Sequence, residues 1–481
     1  MFFPLRTMTE TLSTLYRELT GHAPADVKAL TPAGSNRRYY RLSTEGKEAL
    51  VGVEGTSAVE NKAFIAIARQ LRSKGVSVPE VRACSADGLC YLQEDLGDTS
   101  LFTLIDPRLP ADSEEHQLGE QMLREAMRQL PAIQFGGADG FDFEVCYPLP
   151  AMDRRSIMWD LNYFKYCFLK NTGLDFSEPA LEDDFERLCD ILLSEPYDTF
   201  MYRDFQSRNV MVHEGKPWFI DFQGGRRGPV YYDVASFLWQ ARAQLSDAKK
   251  EELIDVYLEA LQRWRKTDGS AFRKTLRYFV LFRQLQVLGA YGFRGWMEHK
   301  AHFVESIPFA IEALSHELEQ GFAELPYLDE LLRTMTALPR FRRETPPEGL
   351  TVQISSFSFK RGIPEDKSTN GGGFVFDCRA VTNPGRYEEY RAFTGKDACV
   401  REFLDSEPDM QAFLTNVYAL VDQAVERYLQ RGFTHLMVSF GCTGGQHRSV
   451  YAAEHLAQHL KEKYEQIHID LLHREQDNKE V

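Results

Sequence analysis

Four polar residues in the middle of the chain could support phosphoryl transfer. Asp204, Asn209, Asp221 and Asp233 fall in the segments MYRDFQSRNVMV and WFIDFQGGRRGPVYYDVASFL. Transfer from a nucleotide needs a carboxylate that takes the proton of the acceptor hydroxyl, and oxygen ligands for the magnesium ion that bridges the phosphates. Aspartates are also common at loop ends and helix caps, but four metal-binding side chains at this spacing are not. The pattern therefore predicts a kinase.

The elements around these residues are predicted as strand, loop, strand, loop and helix. The apolar runs Asn209–His213 and Pro217–Ile220, joined by a Glu-Gly turn, predict a β-hairpin whose two ends converge on one site. Upstream, the order of two strands, a helix and further strands is typical of the small nucleotide-binding lobe of a kinase. We therefore expect a small lobe over about 1–97 and a mainly helical lobe over about 98–337. The upstream elements are Arg38–Leu42, Ala49–Glu54, Ser57–Ser73, Val78–Cys84 and Leu89–Leu92.

The Asp204…Asn209 loop followed by Ile-Asp-Phe resembles the catalytic motif of the aminoglycoside phosphotransferase (APH) superfamily, whose fold is α+β, bilobal and protein-kinase-like. Within it, Arg-Asp at the base position and the Ile-Asp-Phe-Gln string resemble the AmgK-type amino-sugar kinases. The resemblance implies that Asp204 is the catalytic base. It also implies that Asn209 and Asp221 bind magnesium, and that Asp233 and Arg203 brace the catalytic loop. ATP and magnesium are the implied cofactors.

The nucleotide site departs from an ordinary kinase. The third strand, ALVGVEG, lacks the lysine that normally contacts the α- and β-phosphates, so the phosphate contact stays unassigned. The glycine loop, AGSNRRYYRL, contains one glycine. We predict nucleotide contacts from Ser35 and Asn36 in this loop, from Arg41 on the next strand, and from Glu94 and Leu96 at the hinge between the lobes. An inactive kinase that only binds nucleotide is an alternative.

An aromatic-rich segment, Asp153–Leu169, also contains polar residues. Aromatic residues at helical spacing usually belong to a core. In the amino-sugar kinases, however, the matching helix faces the sugar, so the resemblance implies that Asp160 and Asn162 contact the acceptor. That acceptor would be N-acetylmuramate or N-acetylglucosamine, and its anomeric hydroxyl is a candidate for phosphorylation.

A second constellation lies beyond a Pro- and Arg-rich stretch, 338–349, which we predict to be a linker. The apolar strand His435–Phe440 runs into GCTGGQHRS and then into an amphipathic helix. A glycine-rich turn at a helix N-terminus directs several backbone N–H groups at one spot, which predicts an anion site. Cys442 and Arg448 also fit Cys-x5-Arg, the phosphate loop in which a thiolate attacks phosphorus.

The string GCTGGQHRSVYAAEHLA resembles the RapZ C-terminal domain. SSFSFKRGIP, FVFDCRAVTNP and FTGKD agree with that resemblance over nearly all of Leu350–Leu472. It implies a small α/β domain over 350–481 that binds glucosamine 6-phosphate and is not a phosphatase. One departure is Gly385-Arg386 after Asn-Pro, where the family often has His. The implied phosphosugar contacts are Lys360, Arg379, Cys442, Thr443, Gly444, Gly445, His447 and Arg448.

Composition limits the remaining choices. With 481 residues, the chain is long enough for two or three domains. A net charge of −15 argues against a protein that coats nucleic acid. Eight cysteines without Cys-x-x-Cys pairs suggest reduced thiols in a cytoplasm. No apolar stretch approaches the roughly 20 residues of a transmembrane helix, so we expect a cytoplasmic protein without a membrane partner.

Together these patterns predict an ATP- and magnesium-dependent amino-sugar kinase that carries a hexosamine-phosphate-sensing domain. Its expected partners are two small molecules, an amino sugar and a hexosamine phosphate, and an oligomer is possible. Two alternatives stay open. One is a nucleotide-binding adaptor of RapZ type whose second half binds RNA, although the net charge does not favour RNA. The other is a bifunctional kinase with a Cys442-dependent phosphatase.

Overall fold

The computed structural model describes residues 8–30, 37–341, 349–364, 366 and 373–476. The chain divides into two compact units, an N-terminal unit over Met1–Arg343 and a C-terminal unit over Glu344–Val481. Most of the predicted linker, 338–349, therefore lies outside the described residues. In the described part, no helix has both the length and the apolar character needed to cross a membrane.

The small lobe is a five-stranded antiparallel sheet with one helix on each face. The sheet order is β1-β2-β3-β5-β4. Both predicted strand pairs and the helix between them are confirmed, whereas β1 was missed because the strand is short and most of its residues are exposed. The elements are α1 (Met8–Thr20), β1 (Asp26–Leu30), β2 (Arg38–Ser43), β3 (Leu50–Glu54), α2 (Ala58–Ser73), β4 (Val81–Cys84) and β5 (Cys90–Glu94).

The two faces of β3 are both apolar. Val51 and Val53 belong to the large core that includes α2, and Leu50 belongs to a smaller core under α1. A Cβ atom on Gly52 would lie 2.7 Å from a Leu42 methyl carbon and 3.1 Å from Leu12, so α1 packs too closely for any side chain there. The strand therefore serves to hold the two helices on the sheet.

The helical lobe surrounds two small β-ladders. β7 (Val210–His213) and β8 (Lys216–Phe219) form the predicted hairpin, with Val210 opposite Phe219. β6 (Thr199–Met201) pairs with β9 (Arg226–Gly228) and thereby brings the two sequence motifs together. The helices are α3 (Leu101–Leu104), α4 (Glu114–Ala138), α5 (Arg154–Cys167), α6 (Glu178–Leu193), α7 (Tyr231–Leu238), α8 (Asp247–Leu261), α9 (Gly269–Tyr291), α10 (Ala301–Val304), α11 (Ile307–Leu318) and α12 (Pro326–Thr336).

The described part of the N-terminal unit ends in a short 3-10 turn, Pro339–Phe341. Phe341 is buried, and its ring stacks on Phe168 with centroids 5.6 Å apart. The first residues of the predicted linker therefore pack into the unit. All five tryptophans of the chain also fall in this unit, so their fluorescence reports on it alone: Trp159, Trp218, Trp239, Trp264 and Trp296.

The C-terminal unit is a four-stranded parallel sheet with its own core, in the order β11-β12-β10-β13. The predicted strand, glycine-rich loop and helix are confirmed as β12, residues 443–447 and α15. The carboxyl ends of parallel strands share one sheet edge, which is where ligands bind in open α/β sheets. The elements are β10 (Leu350–Ser358), β11 (Gly373–Asp377), α13 (Ala398–Asp405), α14 (Pro408–Arg431), β12 (His435–Cys442), α15 (Arg448–Lys463) and β13 (Ile467–His473).

Candidate functional site

The loop that carries Asp204 is held from behind by the carboxylate of Asp233, near the start of α7. One oxygen of Asp233 accepts the backbone N–H of Tyr202 and the other accepts that of Arg203, both at 2.9 Å. Arg203 has φ 75°, in the left-handed region that costs a non-glycine residue free energy. The two hydrogen bonds therefore hold a turn that the chain would not adopt by itself.

A second layer fixes Asp233. Gln134 on α4 donates to Asp233 at 3.3 Å and to the Val230 carbonyl at 3.0 Å. The Tyr257 hydroxyl on α8 donates to the Gln134 side chain at 2.7 Å. Burial raises the pKa of Asp233 to about 7, even though its three hydrogen bonds act in the opposite direction. Burial therefore disfavours the ionised form of Asp233, and the hydrogen bonds that fix the loop offset part of that cost.

Asn209 links Asp204 to Asp221. Its side-chain N–H group donates to the main-chain carbonyl of Asp204 at 2.8 Å and to the Asp221 carboxylate at 3.3 Å. Both partners are acceptors, so the amide nitrogen must face them and the amide oxygen is left for a cation. The other Asp221 oxygen accepts the Gln223 amide at 2.7 Å. Burial and the nearby charge of Asp204 raise the pKa of Asp221.

This oxygen set fits magnesium. An amide oxygen and a carboxylate are hard ligands, and magnesium usually takes one or two protein ligands together with water and phosphate oxygens. Within the described ranges, no group of three or more His, Cys, Asp or Glu side chains could hold a metal by itself. An ion at Asn209 and Asp221 would therefore depend on phosphate oxygens for the rest of its coordination.

The hairpin fixes the position of Asp221. The Ile220 N–H donates to the Asn209 carbonyl at 3.0 Å, and the Tyr202 hydroxyl donates to the Ile220 carbonyl. Asp221 itself has φ 67°, another strained backbone conformation. Strained backbone conformations at both Arg203 and Asp221 are typical of a functional site that needs a fixed geometry.

Three arginines surround Asp160 and Asp204. Arg203 lies 3.9 Å from an oxygen of Asp160, and Arg283 lies 3.8 Å from an oxygen of Asp204. Burial raises the pKa of Asp160, although Arg203, Arg226 and Arg283 all act to lower it. The Nη2 atom of Arg226 and the Nε atom of Arg283 are buried, and no residue that the structure describes accepts a hydrogen bond from either atom. Unpaired buried donors are costly, so these atoms mark a place for an acceptor group.

Neither Arg226 nor Arg283 was predicted from the sequence as part of the site. Arg226 lies in the string GGRRGP, shortly after the candidate metal ligand Asp221. Burial lowers the pKa of Arg226 to about 10, and the nearby charge of Arg203 adds to this effect. The Asp160 side chain also accepts the Gln286 amide of α9 at 2.7 Å. Asn162 lies two positions further along α5 and therefore roughly 200° around the helix. The geometry thus supports Asp160, but not Asn162, as part of this pocket.

The predicted nucleotide residues have different outcomes. Arg41 forms bidentate pairs with Asp95, at 2.5 and 3.0 Å, and with Asp98, at 3.1 and 2.9 Å. It therefore fastens β2 to the segment after β5, and its predicted phosphate contact is not supported by this arrangement. The N–H of Glu94 donates to the Glu80 carbonyl, and its carboxylate accepts the N–H of Glu80 and an N–H of Arg72.

The remaining nucleotide contacts stay predictions. Ser35 and Asn36 lie outside the described residues. Leu96 is buried just beyond β5. An adenine contact at the hinge would have to use backbone groups other than the Glu94 N–H, because that N–H and the Glu94 side chain are both engaged within the small lobe.

In the C-terminal unit, the glycine-rich loop folds around the sulfur of Cys442. Sγ accepts the N–H of Gly445 at 3.2 Å and lies 3.2 Å from the Ser449 hydroxyl oxygen. Burial would raise the pKa of Cys442, but hydrogen bonds from Ser449 and from the loop N–H groups lower it overall. The backbone donors that the sequence predicted for an anion therefore converge on the thiol, and Thr443 and Gly444 stay exposed above it.

Arg448 uses part of its guanidinium within the protein, and its predicted phosphate contact stays a prediction. It is buried, and its Nη1 atom donates to the carbonyls of Arg379 and Val381 at 3.0 and 2.8 Å. The guanidinium thus ties the 379–381 segment to α15. A ring nitrogen of His447 lies 2.9 Å from the Tyr390 carbonyl oxygen, which fixes a second segment in the same way. These two side chains therefore hold the segments that flank the glycine-rich loop.

The other two predicted contacts lie after β10 and β11. Lys360 is in the turn that follows β10, and its N–H donates to the Ser358 hydroxyl at 3.3 Å. A guanidinium nitrogen of Arg379 lies 2.6 Å from a carboxylate oxygen of Asp377, and the guanidinium carbon lies 4.1 Å from the centroid of the Phe359 ring. Both residues therefore belong to the sheet edge at which β12 and its loop end.

Two protein families match the chain. The phosphotransferase enzyme family matches residues 26–269, which is half of the chain. The RapZ C-terminal domain matches residues 350–477. The first match spans the sheet of the small lobe and both motifs of the candidate site, and the second spans the parallel sheet and its glycine-rich loop.

Individual relatives are similar to parts of the chain. A nucleotide-binding protein of Halorhodospira halophila (strain DSM 244 / SL1) is 44% identical over 127 residues, which cover 26% of this chain and 42% of that protein. A nucleotide-binding protein of Xylella fastidiosa (strain M12) is 33% identical over 233 residues, 46% of this chain and 78% of that protein. Among solved structures, amicoumacin kinase hAmiN in complex with AMP-PNP, Ca2+ and Ami is 13% identical, with a TM-score of 0.48 over 65% of this chain and 94% of that chain.

We expect Gly445→Ala to destabilise the C-terminal unit. Gly445 has φ +68°, and a Cβ atom there would collide with Glu475 and lie 3.0 Å from the Ser358 nitrogen. The strained conformation alone costs about 1 kcal/mol or more. Gly444→Ala is the matched control, because a Cβ at that position meets open space. Calorimetric unfolding of the two variants measures the difference, and equal midpoints would contradict this account of the loop.

Proposed function

The chain belongs to the phosphotransferase enzyme family, and on that premise we propose that its N-terminal unit transfers a phosphoryl group from ATP to a hydroxyl group of an amino sugar. The observation that supports this most directly is the link from Asp204 through Asn209 to Asp221. One amide group ties a candidate base to a candidate metal site. Phosphoryl transfer requires both groups at a fixed separation.

In this proposal Asp204 is the general base. Its carboxylate accepts the proton of the acceptor hydroxyl as that oxygen attacks the γ-phosphorus and the bond to ADP breaks. Asn209 and Asp221 would hold magnesium, which when bound neutralises charge on the β- and γ-phosphates. Arg283, 3.8 Å from Asp204, adds positive charge beside the transferring group. Asp233 and Arg203 position the base without contacting substrate.

The arginines favour an acidic acceptor. Buried N–H groups of Arg226 and Arg283 without partners would be satisfied by a carboxylate, which guanidinium groups bind in bidentate geometry. N-acetylmuramate carries a lactyl carboxylate, whereas N-acetylglucosamine does not. We therefore propose that the acceptor is N-acetylmuramate or a similarly acidic amino sugar, with Asp160 as a second contact in the pocket. The hydroxyl that is phosphorylated stays open, and the anomeric one remains our candidate.

For the C-terminal unit, whose residues 350–477 form a RapZ C-terminal domain, we propose binding of a hexosamine phosphate such as glucosamine 6-phosphate. Exposed Thr443 and Gly444, with Lys360 and Arg379 on the same sheet edge, would supply the contacts. The net charge of −15 gives no support to RNA as a further ligand.

A Cys442-dependent phosphatase is the second candidate for this loop. The lowered pKa of Cys442 and its hydrogen bonds from Gly445 and Ser449 favour it, since a nucleophilic thiol must ionise. Against it stand the burial of the sulfur and the hydrogen bonds of Arg448 with two carbonyls, because a phosphatase needs that guanidinium on the phosphate. Binding is therefore the better supported function.

Asp204→Asn should lower turnover of the amino sugar by roughly 10²–10⁴-fold, since it removes a general base. Affinity for the magnesium complex of AMP-PNP should stay unchanged, because the Asn209 contact with residue 204 uses the main chain. ADP release with excess sugar measures the rate. Asp112→Asn, at an exposed position, serves as the control. Near wild-type turnover in the Asp204 variant would refute its assignment as the base.

Arg226→Gln should raise the KM for N-acetylmuramate roughly 10- to 100-fold, the usual size of a lost charged hydrogen bond. The KM for N-acetylglucosamine should change little, because that sugar has no carboxylate. Arg227→Gln, the exposed neighbour, is the matched control. Tryptophan fluorescence checks that the N-terminal unit stays folded. Equal effects on the two sugars would argue against an acidic acceptor.

Cys442→Ser should leave glucosamine 6-phosphate binding largely intact. A serine hydroxyl still accepts the Gly445 N–H, and the exposed loop residues are unchanged. A thiolate nucleophile replaced by serine would instead lose nearly all activity, because a hydroxyl ionises far less at neutral pH. Calorimetry with the sugar phosphate, alongside an assay for released inorganic phosphate, separates the two functions. Phosphate release that requires Cys442 would favour the bifunctional enzyme.

A further inference from the structure

The N-terminal unit has no lysine on β3 to contact the nucleotide phosphates, and the packing of that strand leaves no room for one. Val51 and Val53 point into the core beneath α2, and Gly52 is pressed against α1. If the site binds ATP, another positive side chain must take this role. Arg41 is engaged by two aspartates, so it is not the replacement.

Arg37, immediately before β2, holds the ion pair that the missing lysine would make. Its guanidinium lies 3.2 Å from the carboxylate of Glu60 on α2, the helix packed against β3. In protein kinases, the third-strand lysine pairs with a glutamate of the matching helix, and this pair positions the cation for the phosphates. The acidic partner is therefore present on the expected helix, and an arginine from the neighbouring strand has taken the place of the lysine.

A row of contacts connects Arg37 to the metal site. Its guanidinium carbon lies 6.0 Å from the centroid of the Phe64 ring on α2. That ring stacks on Phe222, with centroids 4.7 Å apart and planes within 2° of parallel. Phe222 directly follows the candidate metal ligand Asp221. The positive charge of Arg37 is also close enough to lower the pKa of Asp221, against the larger effect of burial.

A guanidinium suits this position. Arg37 is only 3% exposed, and arginine tolerates burial better than lysine because its charge is delocalised and weakly hydrated. Its planar fork of five N–H donors matches carboxylate and phosphate oxygens better than an ammonium does.

We propose that Arg37, positioned by Glu60 and Phe64, binds the nucleotide phosphates at the metal site in place of the absent third-strand lysine. This inference rests on the proposed function, since it concerns the same nucleotide. Glu60 acts as a positioning residue and does not itself contact the nucleotide.

Calorimetric binding of three ligands to the full-length protein tests the proposal. The ligands are AMP-PNP with magnesium, ADP with magnesium, and adenosine. Arg37→Gln should weaken AMP-PNP and ADP binding roughly 10- to 100-fold and leave adenosine binding unchanged. Arg38→Gln is the matched control, because it removes the same charge one residue further along at a side chain that is 71% exposed. It should change none of the three affinities.

The outcomes separate this inference from the proposed function. If the wild-type protein binds no AMP-PNP, the proposed function fails, and the role of Arg37 fails with it. If the wild type binds AMP-PNP and Arg37→Gln keeps the wild-type ratio of AMP-PNP to adenosine affinity, only the role of Arg37 is overturned. A purely structural ion pair would give that second result, with Arg37→Gln and Glu60→Gln lowering the thermal midpoint equally.

Arg37→Lys keeps the test decisive if the glutamine variant does not fold. Lysine retains the charge but not the planar donors, so AMP-PNP affinity should fall by less than in Arg37→Gln while adenosine affinity stays unchanged. Tryptophan fluorescence reports whether the N-terminal unit is folded in each variant. Two results together would overturn the proposal. A folded Arg37→Lys protein would bind all three ligands with wild-type affinity, and Glu60→Gln would lower the thermal midpoint by the same amount as Arg37→Lys.

Discussion

The carboxylate of Asp233 is the interaction on which the phosphotransfer site depends. It is fully buried, and it accepts the backbone N–H groups of Tyr202 and Arg203. These two bonds, with a weaker one from the Ser236 hydroxyl to the Arg203 carbonyl, hold Arg203 at a positive φ and thereby fix the direction of Asp204. The raised pKa of Asp233 shows that this arrangement costs the folded protein free energy. The protein tolerates this cost because the buried Asp233 carboxylate fixes the loop that carries Asp204.

Charge is distributed unevenly around that loop. Asp204 and Asp221 are the acidic groups, and the charge of Asp204 helps to raise the pKa of Asp221, an effect that a bound divalent cation would reverse. Arg226 and Arg283 are the basic groups, and each has one buried donor atom for which the described residues supply no acceptor. The acidic pair suits a metal and nucleotide phosphates, and the two arginines suit an acidic acceptor.

The sequence was most informative where local pattern decides structure. The β7–β8 hairpin, α2 and the strand, loop and helix at Cys442 follow from turn residues and apolar periodicity, and all are confirmed. Side-chain partners were not predictable in the same way, because they depend on which distant elements pack together. Arg41 was expected to contact phosphate, but it pairs with Asp95 and Asp98, which lie 54 and 57 positions further along the chain. Arg448 was expected on an anion, yet carbonyls near β11 hold its guanidinium.

The most direct test of the account is phosphorus NMR of a reaction that contains the full-length protein, magnesium, ATP and N-acetylmuramate. We expect the γ-phosphate signal of ATP to be replaced by ADP signals and by a new sugar phosphomonoester signal. The position of that signal also identifies the phosphorylated hydroxyl. Unchanged ATP with N-acetylmuramate and with other amino sugars, in protein shown to bind AMP-PNP with magnesium, would contradict the central claim.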